Sequence, residues 1–427
     1  MIKSGVRALT RELLSYTYYE KIFICLVMLC SFCITSEFSI AKPVSYSVFL
    51  SHFPSGYLPL AWLALLPLNF FVVALYNKLL PRLGCFNTAC GTIILTITLN
   101  LLGVFFLKHH PWFSFFHFVW KDIYVLLMFQ HLWSVVHATI EKHKAKYLYG
   151  IIYGIGGLGS VCGSCLPGFF ALKYGSETLL YSTAVIYAFF IAFYFWMLQA
   201  RKHMEQERPL QAIQIKESKG SGGFELIKNS FPLKFILCIV VLMQLGSTLV
   251  DFYFTTHLQQ LFPIKDLRTE YTGKLFGVIH SVNMLLQFFG AFFLLEIVGL
   301  RKAHLLIPAL FTIYAAGLVC VPSFYLVVAA FSTIKACDYS LFTILKEMLY
   351  LPLSSDEKFK AKAVIDVFAY RSSKALASIA LLTAQYFTFA AFDKIVSWSL
   401  FFTFFLWIAT VMYFTKKISK QDALNQN

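Results

Sequence analysis

Apolar segments separated by short polar stretches recur from one end of the chain to the other. Each is long enough to cross the ~30 Å hydrocarbon core of a bilayer as an α-helix. The predicted spans are 22–41, 57–77, 89–107, 116–139, 147–172, 178–199, 234–257, 273–299, 303–319, 321–345, 363–388 and 395–415. The pattern therefore predicts an all-α integral membrane protein with twelve transmembrane helices.

One long polar stretch, residues 201–233, divides the twelve spans into two sets of six. It contains the run Lys-Gly-Ser-Gly-Gly at 219–223, a composition typical of flexible linkers. We therefore expect an N-terminal six-helix half at residues 1–200, a cytoplasmic linker, and a C-terminal six-helix half at residues 234–427.

An internal repeat supports this division. The hexamer Glu-Lys-His-Lys-Ala-Lys at 141–146 matches Glu-Lys-Phe-Lys-Ala-Lys at 357–362 in five of six positions. Nearly the same offset aligns Glu37 with Asp251. Parallel repeats of six helices are a property of the major-facilitator architecture, in which substrate binds near the midplane between the halves. We predict that architecture.

Composition and charge agree with a membrane protein. Hydrophobic residues make up 59% of the chain and charged residues only 13%, against about 25% charged in soluble domains. The net charge of +15 does not indicate nucleic acid, because the basic residues are spread over short loops without a recognition motif. Most of them lie on the side that carries both termini, which predicts a multi-pass protein of the bacterial cytoplasmic (inner) membrane with both termini cytoplasmic.

No pattern of catalytic chemistry stands out. The glycines between 150 and 168 lack the Gly-Lys-Ser/Thr of a phosphate loop, and the histidines lack metal-ligand spacing. Cys162 and Cys165 form a CxxC within that apolar run, without the βαβ context of a redox site. We predict close helix packing for these small residues, and neither catalytic residues, nor a metal site, nor a cofactor, so the protein is expected not to be an enzyme.

Charged residues fall within several predicted spans. A charge at the centre of a membrane helix costs at least about 2.5–3.5 kcal/mol, so each requires a partner, a cavity or a function. These residues are Glu37, Lys121, Asp122, Asp251, Lys335, Asp338, Asp366, Arg371 and Lys374.

Two interpretations of these charges are open. In the first, bases surround a cavity that binds an anionic solute, while acids accept protons or pair with the bases. In the second, the charges pair locally: Lys335 with Asp338, Asp366 with Arg371, and Lys121 with its neighbour near a helix end, where the lysine snorkels. Two further residues, Asp251 and Lys374, have no opposite charge nearby on their own spans and need partners from other helices.

Several motifs lie in the last third of the chain. They are Asp338-Tyr339-Ser340-Leu341-Phe342, the run Lys-Glu-Met-Leu-Tyr-Leu-Pro-Leu at 346–353, the run Lys-Ala-Lys-Ala-Val-Ile-Asp-Val at 360–367, and the segment from Arg371 to Lys374. They resemble the patterns KYSLFDxxKEMxYxPL and KxKAAIDVxxxRxGK of the ATP/ADP translocase family, the nucleotide transporters of plastids and obligate intracellular bacteria. Leu249-Val250-Asp251 is a weaker match to a Leu-Val-Glu of that family.

The resemblance implies a twelve-helix nucleotide transporter whose membrane charges are important. Lys374 occupies the place of the family's eleventh-helix lysine and Asp251 that of its seventh-helix glutamate. Asp122 stands in for the acid of the first half. Lys42 aligns with the first base of the family's first-helix motif, and Ser45 replaces its second lysine.

The chain also departs from the family pattern. Asp338 stands in place of a lysine, Thr343 in place of an aspartate, and Thr255 and His257 in place of a basic pair. Fewer bases make a site less suited to three phosphates, which need several cationic partners.

We expect a transporter of nucleotides or related anionic or phosphorylated metabolites that works as a monomer by alternating access. Exchange and proton symport are both compatible with its charges. The alternatives are a carrier of a different small metabolite and a non-transporting scaffold or receptor. The predicted substrate-binding residues are Lys374, Arg371, Lys42 and Asp251, and the predicted proton-coupling or counter-charge residues are Asp251, Asp122, Glu37, Asp338, Lys335 and Asp366.

Overall fold

The computed structural model describes residues 16–140, 145–207, 223–287, 298–350, 353, 361–362, 364–387 and 392–424. Regular structure in these residues is helical throughout. Residues 208–222 of the predicted linker and most of the two repeat hexamers lie outside the described residues.

The first five long helices are α1 Tyr18–His52, α2 Leu58–Phe106, α3 Pro111–Thr139, α4 Ala145–Tyr174 and α5 Leu180–Glu207. Helix α2 is broken at Gly84, whose φ of 78° is accessible to glycine without strain. The predicted spans 57–77 and 89–107 are therefore the two arms of α2.

A short helix at Gly223–Asn229 comes next. The helices after it are α6 Phe231–Leu261, α7 Lys265–Leu285, α8 Leu300–Cys320, α9 Phe324–Cys337, α10 Thr343–Tyr350, α11 Tyr370–Phe387 and α12 Phe392–Leu424. Two π-helical segments, Asp338–Phe342 and Val364–Ala369, follow α9 and precede α11. Nine helical stretches of the described residues are long and apolar enough to span a membrane, one of them covering both arms of α2. When the two arms of α2 are counted separately and α9 with α10 as one span, the helices α1 to α12 correspond to the twelve predicted spans, and the predicted all-α membrane fold is confirmed.

Two helices extend beyond the spans predicted from hydropathy. Helix α1 continues to His52, so Lys42 lies within a helix and not in the loop that the sequence predicted. Helix α7 begins at Lys265, well before residue 273. An apolar run marks the hydrocarbon thickness, whereas the helix itself continues as long as its polar side chains find partners.

The chain forms two compact units. Unit 1 comprises Met1–His52, Pro67–Ile215 and Ile264–Ser281, and unit 2 comprises Phe53–Leu66, Lys216–Pro263 and Val282–Asn427.

In unit 1, α1 packs against α3, α4 and α5. The glycines of α4 allow its backbone to approach α1, because a Cβ added at Gly163 would collide with the backbone of Ser36. Gly156 and Gly159 are in similar contact with α1. The predicted role of small residues in close helix packing is confirmed for these glycines, whereas it is wrong for Cys162 and Cys165, which are exposed.

The first part of α7 also belongs to unit 1. The Arg268 side chain is buried, and its Nη2 donates to Ser47 O at 2.7 Å and to Ser51 Oγ at 2.9 Å. A Cβ added at Gly273 would collide with the backbone of Gly168 in α4. Polar and small residues thus hold α7 against α1 and α4.

In unit 2, α6 packs against α9, α11 and α12, and α8 packs against α12. Helix α1 in unit 1 and helix α6 in unit 2 thus each pack against at least three other helices. Glu37 lies on α1 and Asp251 on α6, the two acids that the internal repeat aligns.

Candidate functional site

Asp251 on α6 and Lys335 on α9 form an ion pair inside unit 2. Lys335 Nζ lies 2.8 Å from Asp251 Oδ1 and donates to Asp251 Oδ2 at 2.9 Å. It also donates at 2.9 Å to the Oγ of Ser247, one turn before Asp251 on the same face of α6. The two charged side chains are only 8% and 14% exposed, so the pair is largely withdrawn from solvent.

The local interpretation of the charges paired Lys335 with Asp338, but within the described residues the ion pair of Lys335 is with Asp251, and Asp338 lies only within electrostatic range of the ammonium group. Two acceptors on α6 lie within hydrogen-bonding distance of that group. Asp338 is also buried and opens the π-helical segment Asp338–Phe342. Single-turn π-helices are frequent at functional sites.

Lys374 lies on α11 near an aromatic ring of the same unit. Its Nζ is 5.1 Å from the centroid of the Trp62 ring, within the range of a cation–π interaction. The Trp62 side chain is buried. Arg371 lies one turn before Lys374 on α11 and is half-buried.

Asp366 lies in the π-helical segment before α11 and pairs with Lys346 of α10, with Nζ and Oδ1 3.0 Å apart. Sequence had suggested Arg371 as its partner; the ion pair is instead made to a residue twenty positions earlier. A second ion pair joins Lys362 Nζ to Glu347 Oε2 at 2.6 Å. Both ion pairs link α10 to residues that lie shortly before α11 in the chain.

In unit 1, Glu37 is completely buried and accepts three hydrogen bonds from uncharged groups. Tyr124 Oη and Asn100 Nδ2 donate to its Oε1 at 2.7 Å and 3.1 Å. Tyr187 Oη donates to its Oε2 at 2.8 Å. Among the described residues, no lysine or arginine forms an ion pair with this carboxylate.

A histidine extends the hydrogen-bonded network around Glu37. His117 Nε2 lies 3.0 Å from Asn100 Oδ1, and His117 Nδ1 lies 2.9 Å from Ser45 Oγ. Asn100 Nδ2 also donates to Thr183 Oγ1 at 3.0 Å. The side chains of His117, Asn100, Ser45 and Thr183 are all buried.

Lys121 and Asp122 are adjacent on α3, with Nζ and Oδ2 3.0 Å apart. The prediction that Lys121 snorkels to a helix end is wrong, because its side chain is fully buried within α3. Its Nζ lies 4.0 Å from the ring centroid of Phe118 and 5.0 Å from that of Tyr46. The neighbouring carboxylate and the two rings compensate for its lost hydration.

Lys42 on α1 is also held against aromatic rings. Its Nζ lies 4.2 Å from the ring centroid of Phe276 on α7 and 5.8 Å from that of Phe38. Each unit thus presents lysines beside aromatic rings and an acid on its most enclosed helix. Such groups can attract an anion, stack on a planar ring and exchange a proton.

Sequence reasoning missed several side chains that contact the predicted charges directly or, in the case of His117, through Asn100. They are Ser247 and Trp62 in unit 2, and Asn100, His117, Tyr124 and Tyr187 in unit 1. The available signal was a strongly polar side chain within an apolar span, which Asn100 and His117 both provide.

Two family models match this chain. The model described as TLC ATP/ADP transporter matches residues 324–418. The model described as Major Facilitator Superfamily matches residues 132–351, half of the chain.

One curated relative supports the first match. The chain is 23% identical over 372 residues to ADP,ATP carrier protein 1 of Chlamydia pneumoniae. The alignment covers 77% of this chain and 71% of that protein.

Solved structures are similar in fold. A mutant of the nucleoside transporter NupG has a TM-score of 0.67 at 12% identity, covering 92% of this chain and 99% of that one. A bacterial homologue of the iron transporter ferroportin in an inward-facing state has a TM-score of 0.65 at 12% identity, covering 92% and 98%. The xylose transporter XylE from E. coli in an inward-open conformation has a TM-score of 0.62 at 11% identity, covering 93% and 96%.

Proposed function

This chain belongs to the Major Facilitator Superfamily and is a divergent member of the ATP/ADP transporter family, and from that premise we propose that it carries a nucleotide or a closely related phosphorylated anion. It is a multi-pass membrane transporter. The cargo crosses chemically unchanged, by alternating rocking of the six-helix halves at residues 1–200 and 234–427. Exchange and proton symport both satisfy this scheme.

The observation that carries the proposal is the buried ion pair between Lys335 and Asp251. Withdrawing an ammonium group from water costs several kcal/mol unless a carboxylate and further hydrogen bonds compensate. Asp251 and Ser247 supply that compensation in this conformation. An anionic cargo that reaches Lys335 competes with Asp251 for the ammonium group, so anion binding and rearrangement of the α6–α9 contact are coupled.

The lysines beside aromatic rings suit a cargo that has both a base and phosphates. In unit 2, Trp62 offers a ring and Lys374 an ammonium group within the same contact. In unit 1, Phe276 and Lys42 provide the same combination. A ring can stack on a nucleobase, and an ammonium group can bind a phosphate as a point charge. Arg371 adds a planar guanidinium, which can hold two phosphate oxygens at once.

A second candidate is a smaller anion with fewer negative charges. Its support comes from Thr255 and His257, which replace a basic pair of the family pattern. Thr255 Oγ1 donates to Asp251 O at 2.6 Å, and His257 Nδ1 lies 2.9 Å from Tyr253 O. These side chains bond to the backbone of α6 and add no fixed positive charge for a third phosphate.

We propose the bacterial inner membrane as the setting, from the relative in Chlamydia pneumoniae, and cytoplasmic termini from the distribution of lysine and arginine. The proposed carrier is a monomer whose partners are its small anionic cargo and the lipid bilayer. It binds no nucleic acid and has no catalytic residues.

A thermal-shift series with ATP, ADP, orthophosphate and adenosine tests the cargo class. A ligand that binds the folded protein stabilises it in proportion to the logarithm of its concentration above the dissociation constant. We expect ATP or ADP to raise the melting temperature, and Lys374→Ala to remove the shift. Lys394→Ala, an exposed lysine at the start of α12, should leave the shift unchanged. A shift with orthophosphate alone supports the smaller anion, and the absence of a shift with either nucleotide contradicts nucleotide binding.

A further inference from the structure

The buried carboxyl group of Glu37 differs in its surroundings from three other membrane acids. The carboxylates of Asp251, Asp122 and Asp366 each have a lysine within 3.0 Å. Glu37 has a tyrosine on α3, a tyrosine on α5 and an asparagine on α2. A fully buried carboxylate without a cationic partner carries an uncompensated charge whenever it is ionised.

Hydrogen bonding assigns the orientation of the Asn100 amide. Thr183 Oγ1 donates to Leu180 O at 2.6 Å, so it can accept from Asn100 Nδ2. The carboxylate of Glu37 accepts from the same amide nitrogen. Asn100 Oδ1 therefore faces His117, whose Nε2 must carry the proton that it accepts.

The network can satisfy Glu37 in both protonation states. When the carboxyl group is ionised, its oxygens accept the three hydrogen bonds from Tyr124, Asn100 and Tyr187. When it is protonated, its O–H can donate to the hydroxyl oxygen of Tyr124 or Tyr187, since each hydroxyl is both donor and acceptor. Ser45 gives His117 the same freedom, because its hydroxyl can donate to neutral Nδ1 or accept from the protonated ring.

Few charged groups surround the site. Tyr124 and His117 face it from α3, Tyr187 from α5, and Cys33 lies one turn before Glu37 on α1. Lys121 of the ion pair on α3 lies within electrostatic range of His117, and its partner Asp122 lies within electrostatic range of Tyr124. Helix α4, which packs against α1, has no Asp, Glu, Lys, Arg or His between 147 and 172, and α2 contributes only the amide of Asn100.

We infer that Glu37 is the proton-binding site of this transporter, with His117 linked to it through Asn100, and that the protein is a proton-coupled symporter. This inference rests on the proposed function, since it names the coupling ion of the proposed carrier. Acid and histidine chains inside membrane bundles mark proton pathways. The proton binds at a Glu37 carboxylate oxygen and leaves from the same atom, so no other bond forms or breaks.

In this scheme the membrane acids of the two units have different roles. Asp251 has Lys335 as a fixed cationic partner and serves as the counter-charge for an anionic cargo. Glu37 has only neutral partners, and its protonation removes the uncompensated charge from unit 1. Because Glu37 is closed to solvent by α2, α3 and α5, proton exchange requires these helices to rearrange around it, which links the protonation of Glu37 to the conformation of unit 1.

Infrared titration of the purified full-length protein tests the inference without a cargo. We expect a carboxylic-acid carbonyl band that appears as the pH is lowered and is absent from Glu37→Gln. Tyr187→Phe should shift the frequency of this band, because protonated Glu37 loses a hydrogen-bond partner. Glu205→Gln, at an exposed acid of α5, should leave the band unchanged. A wild-type protein without a titrating carbonyl band contradicts the inference, whatever the cargo is.

Transport in proteoliposomes then separates this inference from the proposed function. We expect an inward proton gradient to drive accumulation of labelled ATP or ADP, and a protonophore or Glu37→Gln to abolish that accumulation. Nucleotide counterflow without any effect of the proton gradient would overturn proton coupling and leave the proposed function intact. A titrating Glu37 band in a protein that moves no nucleotide would overturn the proposed cargo and retain the proton site.

Discussion

Lys335 of α9 binds Asp251 of α6 through a buried ion pair, although the two residues are 84 positions apart in the chain. The contact joins the helix with the most packing partners in unit 2 to the helix that leads into the π-helical segment at Asp338. A charge on either helix that lost its partner would be left in a poorly hydrated environment.

Removing one partner of this pair should destabilise the protein strongly. Lys335→Ala or Asp251→Ala each leaves a buried charge uncompensated, at a cost of about 3–5 kcal/mol. The double variant removes both charges and should be less destabilised than the sum of the single variants. Unfolding in detergent, followed for all four proteins, measures this coupling. Strict additivity would show that the two side chains do not stabilise one another.

Gly163 should tolerate no side chain. Gly163→Ala places a methyl group against the backbone of Ser36, and overpacking of this kind costs about 1–3 kcal/mol. Gly91 lies in the second arm of α2, and a Cβ there has no heavy atom within 4 Å. Gly91→Ala is therefore the matched control and should unfold at or above the wild-type temperature. Equal melting temperatures for the two variants would rule out close α1–α4 contact at Gly163.

Arg268 should stabilise the contact between α7 and α1. Arg268→Ala removes hydrogen bonds to Ser47 and Ser51, and hydrogen bonds to charged groups contribute about 1.5–3 kcal/mol. The control is Lys274→Ala on the same helix, where the lysine is half-exposed and pairs with Glu270. Exposed ion pairs contribute little, so only the arginine variant should lower the melting temperature clearly. A larger effect of the lysine variant would contradict this assignment.

Trp62 should contribute to nucleotide affinity through its ring. Trp62→Leu removes the cation–π partner of Lys374, a contribution of about 0.5–2 kcal/mol, which corresponds to a loss of affinity of roughly 2- to 30-fold. Trp62→Phe keeps an aromatic face and should retain more of the affinity. Ligand-induced thermal shifts compare the variants, after size-exclusion chromatography has shown that both are folded. Equal affinity in the leucine and phenylalanine variants would exclude a role for the ring.

Hydropathy predicted the membrane helices because the thickness of the bilayer sets the length of an apolar run. It did not predict their ends. Helix α1 continues past Lys42 because Phe38 and Phe276 pack around the ammonium group and the next two serines, Ser45 and Ser47, are buried. The contact with Phe276 comes from a helix more than two hundred residues away, so the sequence near Lys42 does not predict it.

The partners of the membrane charges were harder to predict than the charges themselves. The cost of burying Asp251 indicated that another helix must supply a cation, but Lys335 had an equally suitable acid, Asp338, on its own helix. Glu37 is similar, since its partners Asn100 and Tyr187 lie 63 and 150 positions away. Sequence identifies which side chains need compensation, whereas the packing of helices decides what provides it.

Uptake of labelled ATP and ADP by proteoliposomes tests the central claim most directly, with Lys374→Ala compared against Lys394→Ala. The account predicts saturable uptake by the wild-type protein and by the Lys394 variant, and loss of uptake in the Lys374 variant. Saturable uptake that is unchanged in Lys374→Ala would remove that residue from the site. The absence of nucleotide uptake by a folded wild-type protein would contradict the proposed function itself.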